Sequence, residues 1–204
     1  ARFGKASVSL PGGCAIGARP VNLHLEALER MGAEILIDKG YVEARVPAGK
    51  LRGMDHTFKK VSVGATENIL MAACLAEGTT ILRNAAQEPE ITDLAQQLVK
   101  MGARIEGIGS PVLTVQGVER LGGCEHDVVA DRIEAGTFLC AVAAAGGDVV
   151  LDRVVPEHLR SLIDLLERSG CAFTERQGQD GMQLRIQREP GQKLRPRDVA
   201  TSPY

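Results

Sequence analysis

A thiol stands in a loop nearly free of large side chains: Leu10-Pro11-Gly12-Gly13-Cys14-Ala15-Ile16-Gly17-Ala18-Arg19-Pro20. Two glycines precede Cys14, one follows it, and a guanidinium stands five residues on. Glycine lets backbone approach a ligand closely. Positive charge beside a cysteine lowers its pKa and makes it a nucleophile or an acid. Arg19 could supply that charge, and its planar fork suits phosphate or carboxylate. The competing reading is a glycine-rich turn around a small apolar cysteine, because free cysteine usually behaves as a buried hydrophobe. A second group is Lys60-Val61-Ser62-Val63-Gly64, just ahead of an apolar run. If a helix starts there, unpaired N–H groups, a hydroxyl and an ammonium together suit a diphosphate. An ordinary capped turn is the alternative. Glu88 and Glu90 flank Pro89; they are either solvated loop charges or carboxylates at the mouth of a site.

These groups must be positioned by something, and composition bounds what it is. The chain has 204 residues, 44% apolar but only 3% aromatic, without Trp. That suffices for one large domain or two small ones with an aliphatic core. The net charge is −2, from 24 basic and 26 acidic residues, which argues against nucleic acid as the main partner. The charges are interspersed, with no basic block for a membrane surface. Five cysteines, at 14, 74, 124, 140 and 171, show neither CxxC nor zinc spacing. A reduced, cytoplasmic protein is expected. No metal or cofactor is expected either, and the apolar runs are too short to span a bilayer. The chain does not start with Met and stops in Thr201-Ser202-Pro203-Tyr204 without a closing element, so a piece of something longer is expected.

A pattern recurs about every seventy residues. Leu25 to Ile35, Leu94 to Ile105 and Leu162 to Phe173 each place apolar residues at helical spacing, then a glycine, then a β-prone stretch. The glycines, Gly32, Gly102 and Gly170, are 70 and 68 residues apart and stand where helix C-caps fall. Strand candidates follow at Tyr41 to Val46, Val112 to Gln116 and Met182 to Gln187. Ala65 to Glu77 and Glu134 to Ala145 read as apolar, Ala-rich helices, and helices apolar all round are buried ones. Each leads through a glycine turn into a strand, Thr79 to Leu82 and Asp148 to Leu151. The pattern predicts a few α/β units of strand, amphipathic helix, two strands, a further strand and buried helix. The Cys14 loop takes the place held by Arg83 to Glu88 in the second unit and Asp152 to Val155 in the third. A boundary is expected near Asp127 to Asp131, dividing the chain into 1–128 and 129–204.

The Cys14 loop with Arg19-Pro20-Val21-Asn22-Leu23-His24 closely resembles the UDP-N-acetylglucosamine enolpyruvyl transferases (1-carboxyvinyltransferases) of bacterial cell-wall synthesis. Lys60 to Thr66, Asn84 to Glu90 and Asp131-Arg132-Ile133-Glu134-Ala135-Gly136-Thr137-Phe138 resemble the same family, in collinear order. The resemblance covers about the middle half of a member. It implies an α/β (α+β) fold of repeated βαβαββ-type units around buried helices, the enolpyruvyl transferase inside-out α/β barrel. Residues 1–128 would be two units of the domain carrying the catalytic loop, and 129–204 the first unit of the second domain. The implied reaction moves the enolpyruvyl group of phosphoenolpyruvate to the 3-hydroxyl of UDP-N-acetylglucosamine and releases phosphate, a committed step of peptidoglycan synthesis that needs no metal.

By the same resemblance Cys14 is the general acid at the enol carbon and the target of fosfomycin. Arg19 binds near the phosphates. Pro20, Val21, Asn22 and Leu23 pack on the uridine, although Leu23 also reads as a core residue. Asn22 stands where members often have Asp, and either could cap a helix. Lys60, Val61, Ser62, Val63 and Gly64 hold the diphosphate, and Glu88 lies near the active site. Gln87 stands where relatives can have Arg, so an ion pair there is lost. His24 reads equally well as structural or functional. Asp131 and Arg132 shape the junction. The resemblance puts the catalytic base beyond Tyr204, so the chain alone is expected to be inactive. Two alternatives remain open: the shikimate-pathway enolpyruvyl transferase, which lacks this cysteine loop, and a non-catalytic nucleotide-sugar binding module. The oligomeric state is not legible.

Overall fold

The computed structural model describes residues 2–10 and 21–201. The element order is β1 (Lys5–Ser9), α1 (Asn22–Arg30), β2 (Glu34–Asp38), β3 (Tyr41–Arg45), β4 (Asp55–Thr57), α2 (Val63–Ala73), β5 (Thr79–Arg83), α3 (Pro89–Lys100), β6 (Arg104–Glu106) and β7 (Val112–Gln116). Then follow α4 (Arg132–Ala145), β8 (Gly147–Asp152), a 3-10 turn (Pro156–Leu159), α5 (Arg160–Ser169), β9 (Ala172–Gln177) and β10 (Met182–Arg188). The chain forms two compact units, residues 1–127 and 128–202, each with its own aliphatic core. The architecture is mixed α/β with three small sheets. No described helix is long and apolar enough to cross a membrane.

The seventy-residue repeat is a structural repeat. The sheets run β1-β3-β2, β5-β7-β6 and β8-β10-β9. In each, the third strand of the unit lies in the middle and pairs antiparallel on both sides. β4 adds a fourth, parallel strand beside β5. Strand alternation sends Leu82, Leu113 and Val115 inward in the second sheet and Leu184 and Ile186 inward in the third, all fully buried. The amphipathic helix of each repeat bridges the first and second strands of its sheet. It ends where a left-handed residue is needed: Gly32, Gly102 and Gly170 have φ of +96°, +104° and +114°. Gly170 is itself the C-cap, whereas Gly32 and Gly102 follow caps at Met31 and Met101. The turns from β5 and β8 into the next helix also use left-handed residues, Asn84 (φ 56°) and Arg153 (φ 54°).

Two expectations need correction. The Ala-rich helices are not buried all round. α2 leaves Met71 exposed, and α4 leaves Ile133 (63%) and Phe138 (51%) open beside Cys140. Their composition suits burial on every side, but these residues supply neighbours for one side only. The expected further strand ahead of the buried helix is present as β4 before α2. Ahead of α4, residues 117–131 form no strand; Gly122 N donates to Met101 O at 2.8 Å, and His126 Nε2 lies 2.9 Å from Asp93 Oδ1 on α3.

Candidate functional site

Cys14, Arg19 and Pro20 lie outside the described residues. The remaining predicted groups gather around the N-terminal end of α2. The reason is packing: α1 and α3 both lie against α2, and α2 has small residues on its flanks, with Ala65, Thr66 and Ala73 fully buried.

Val21 is the N-cap of α1. Its carbonyl accepts from His24 N at 3.0 Å and Leu25 N at 3.1 Å, and it offers no side-chain cap. Asn22 is therefore the first helical residue, exposed, and not the cap that its chemistry allowed. Leu23 is buried in the core, as its apolar character favours. One turn on, the His24 ring lies against Gly64: a Cβ placed on Gly64 would sit 3.5 Å from His24 Cε1. This contact joins the Val21–His24 segment to the Lys60–Gly64 segment. Burial holds the His24 pKa below its ordinary value, so the ring is neutral at pH 7.

Ser62 is the N-cap of α2. Its Oγ accepts from Ala65 N at 3.3 Å, and its carbonyl accepts from Thr66 N at 3.0 Å. The hydroxyl thus serves as the acceptor that caps α2, and its own O–H remains available to donate. Val63 and Gly64 occupy the first helical positions, whose N–H groups have no acceptor within the helix. Gly64 is exposed and Val61 half-buried. Lys60 is exposed, while its neighbour Lys59 is paired with Glu26 at 2.9 Å.

Glu88 is the N-cap residue of α3, ahead of Pro89, and is 8% exposed. One of its carboxylate oxygens is shielded from solvent without a hydrogen-bond partner. The helix N-terminus is the positive end of the dipole and favours a carboxylate there. The segment carrying Glu88 is tied to α2 by Ala86 N donating to Thr66 Oγ1 at 3.0 Å, and to β4's exit by Asn84 Nδ2 donating to Phe58 O at 2.9 Å.

Sequence reasoning missed Glu67. It lies one turn beyond Gly64 on α2. Burial first, then the charges of Glu90 and Glu88, push its carboxyl above the ordinary carboxylate range. A lone acid inside an otherwise apolar helical run was the available signal. The described part of the site therefore combines a helix N-terminus, with Lys60 beside it in sequence, and three carboxylates.

The other sequence readings fall as follows. Asp131 caps α4, its Oδ1 accepting from Ile133 N at 2.8 Å and Glu134 N at 3.0 Å. Cys74 and Cys171 are buried, and burial pushes the Cys74 thiol up to about 11. Cys124 and Cys140 are exposed. A concavity of about 870 Å³ opens on the first sheet, lined by Lys5, Ser7, Glu34, Glu43 and Arg45 with Ala6, Ile35, Leu36 and Ala44, and by none of these groups. Among the described residues no cluster of three or more His, Cys, Asp or Glu could hold a metal ion.

Comparisons with known proteins bear on this arrangement. A family model described as EPSP synthase (3-phosphoshikimate 1-carboxyvinyltransferase) matches residues 1–204. Over 184 residues, 90% of its length, the chain is 58% identical to UDP-N-acetylglucosamine 1-carboxyvinyltransferase of Acinetobacter baylyi, and it spans 43% of that protein. Among solved structures it is similar to the enolpyruvyl transferase NikO from Streptomyces tendae, with a TM-score of 0.74 at 22% identity, over 96% of this chain and 46% of that one. It is also similar to EPSP synthase from Acinetobacter baumannii, with a TM-score of 0.59 at 26% identity, over 92% of this chain and 43% of that one.

Proposed function

The chain belongs to the EPSP synthase (3-phosphoshikimate 1-carboxyvinyltransferase) family, and on that premise we propose that it is part of a UDP-N-acetylglucosamine 1-carboxyvinyltransferase. The parent enzyme transfers the enolpyruvyl group of phosphoenolpyruvate to the 3-hydroxyl of UDP-N-acetylglucosamine and releases phosphate, in the cytoplasm, for peptidoglycan synthesis. The observation that carries this reading is the 58% identity to the UDP-N-acetylglucosamine enzyme, set against 26% to an EPSP synthase. The shikimate-pathway alternative ranks behind it for that reason.

In this reading residues 1–128 are two units of the catalytic-loop domain and 129–204 the first unit of the second, within an inside-out α/β barrel. The Val63 and Gly64 N–H groups and Lys60 meet the diphosphate, and Gly64 lets it approach the backbone. Val21 and Asn22 form the uridine side with Pro20, and Leu23 supports them from the core or meets the uridine through its backbone. Arg19 adds positive charge near the phosphates. Glu88, fixed at the start of α3, borders the site. Cys14 delivers the proton to the enol carbon and is the atom that fosfomycin alkylates. The transfer also needs a base at the sugar hydroxyl and a held phosphate. The chain spans less than half the length of its curated relative, so residues 1–204 alone do not turn over.

The test is phosphate release from phosphoenolpyruvate by the full-length protein, with UDP-N-acetylglucosamine or 3-phosphoshikimate as acceptor. Release with the nucleotide sugar, lost in Cys14→Ala, is expected. Release with 3-phosphoshikimate alone, or binding of the nucleotide sugar without any release, would overturn the assignment.

A further inference from the structure

The run of chain from residue 52 to residue 64 lies along α1 from its last turn to its first. Arg52 N donates to Met31 O at 2.9 Å. Arg30 Nη2 donates to Asp55 O at 3.0 Å, and Arg30 Nη1 donates to His56 Nδ1 at 2.9 Å. Lys59 Nζ meets Glu26 Oε2 at 2.9 Å. At the far end the His24 ring lies against Gly64. Glu26 and Arg30 are one turn apart and share a helix face. Beyond them stand the two segments assigned to the nucleotide sugar, Val21–Leu23 and Lys60–Gly64. The spacing of those segments is therefore set by what holds α1 to this run.

The links are unequal. The pair of Glu26 with Lys59 is open to solvent, and exposed pairs hold weakly. His56 is 4% exposed, and its ring is packed edge-on against the buried Phe58 ring with centroids 4.9 Å apart. A guanidinium has only donors, so the bond to Arg30 fixes the tautomer: Nδ1 offers its lone pair and Nε2 carries the proton. The clamp needs a neutral ring. With Nδ1 protonated, two donors and two positive charges would face each other. The charged groups around the ring are Arg30 and Glu26 on α1 and Lys59 and Asp55 on its own segment. Arg30 and Lys59 oppose a proton there, and Glu26 favours it. The Asp55 carboxylate is engaged from β5 by Arg83, at 2.9 and 3.0 Å.

We propose that Arg30 and His56 are positioning residues for the nucleotide sugar: the guanidinium, held by the imidazole and the Asp55 carbonyl, sets the spacing of Val21–Leu23 and Lys60–Gly64, and protonation of the ring opens this clamp and weakens binding. The inference rests on the nucleotide-sugar reading of those two segments. Burial first, then the Arg30 charge, hold the His56 pKa below its ordinary value. The nucleotide sugar binds the clamped form, so affinity is full at neutral pH and falls as pH drops through that lowered value.

Calorimetric titration of the full-length protein with UDP-N-acetylglucosamine at pH 7 and pH 5 tests the clamp. Asparagine places a carbonyl oxygen where Nδ1 stands and does not titrate, so His56→Asn keeps the acceptor at both pH values. On acidification wild type is expected to lose roughly threefold or more in affinity beyond the loss in His56→Asn. His24 titrates in both proteins and cancels in the comparison. Arg30 lies at the surface, so Arg30→Met leaves the core filled. It should bind roughly threefold or more weakly than wild type at pH 7, with no more pH dependence than His56→Asn. A purely structural clamp would move the melting temperature and leave the affinities alone. Equal pH dependence in wild type and His56→Asn, or wild-type affinity in Arg30→Met at pH 7, would overturn the proposal. Absence of binding by wild type at pH 7 would overturn the nucleotide-sugar assignment itself, and the proposal with it.

Discussion

Thr66→Val separates the hydrogen bond that holds the Glu88 segment from the packing around it. Thr66 is fully buried, and its Oγ1 accepts from Ala86 N at 3.0 Å; Ala86 is 1% exposed. Valine has nearly the same shape, so the core stays filled. What is lost is the acceptor, and water cannot reach the stranded N–H. Leaving one buried donor unsatisfied costs about 1–3 kcal/mol. For a domain of this size about 2 kcal/mol corresponds to roughly 4–8 °C in melting temperature. Thr66→Ser keeps the acceptor and gives up one methyl, about 0.8 kcal/mol, so it should be the milder change. Ser62→Ala removes a half-buried cap at the start of the same helix, at about 1 kcal/mol. The expected order of melting temperatures is wild type, then Ser62→Ala and Thr66→Ser close together, then Thr66→Val lowest. Thermal unfolding of the full-length protein followed by circular dichroism reads this directly. A Thr66→Val protein as stable as wild type, or a serine variant less stable than the valine one, would refute the idea that the hydroxyl acts as an acceptor for the loop. Because that loop carries Glu88, Thr66→Val should also raise KM for the nucleotide sugar.

Three further outcomes are expected. Gly64→Ala puts a methyl at ordinary contact distance from His24 and replaces glycine in a helix, so the melting temperature should hold or rise by up to about 1 kcal/mol equivalent, while calorimetry shows weaker UDP-N-acetylglucosamine binding; unchanged affinity would remove Gly64 from the diphosphate site. Burial holds His24 below 6.5, and burial followed by the Arg30 charge does the same to His56, whose Nδ1 accepts from Arg30 Nη1 at 2.9 Å; both rings contribute stability that is complete above pH 6.5 and lost as pH falls through their lowered folded-state values, so the melting temperature should drop from pH 7 to pH 5 and His56→Gln should flatten the drop. Brief iodoacetamide treatment at neutral pH, mapped by mass spectrometry, should label Cys14 first, exposed Cys124 and Cys140 slowly, and buried Cys74 and Cys171 not at all; labelling of Cys124 at the rate of Cys14 would count against a special thiol.

The repeat was legible because helix-ending glycines mark each unit. A residue with φ near +100° is almost obligately glycine, so Gly32, Gly102 and Gly170 punctuate the chain wherever the amphipathic helix turns into a strand. Strand ends were legible for a related reason: Val112–Gln116 is bounded by a turn on one side and Gly117 on the other. Burial of the apolar helices was not legible in the same way. Composition records what a helix meets in the complete protein, and α4, with Ile133 and Phe138 open, meets only part of it here.

The site was legible to different depths for a physical reason. Positions whose role depends on backbone, such as Ser62 at a helix start and Gly64 after it, announce themselves by residue type and place. Glu67 does not, because its character comes from neighbours brought in by folding. Its carboxyl is displaced by burial and by Glu90 and Glu88, which stand more than twenty residues away in sequence. Nothing in a linear reading puts three acids together at one helix end. Their convergence changes the electrostatic problem there. An acid of raised pKa beside a helix N-terminus destabilises the folded protein at neutral pH, and an arriving diphosphate would add to the same negative charge. Lys60 and Arg19 are, in the proposed function, the cations that meet the phosphates of the substrate. On the proposed reading the Cys14 loop thus has two roles, supplying positive charge through Arg19 as well as the acid.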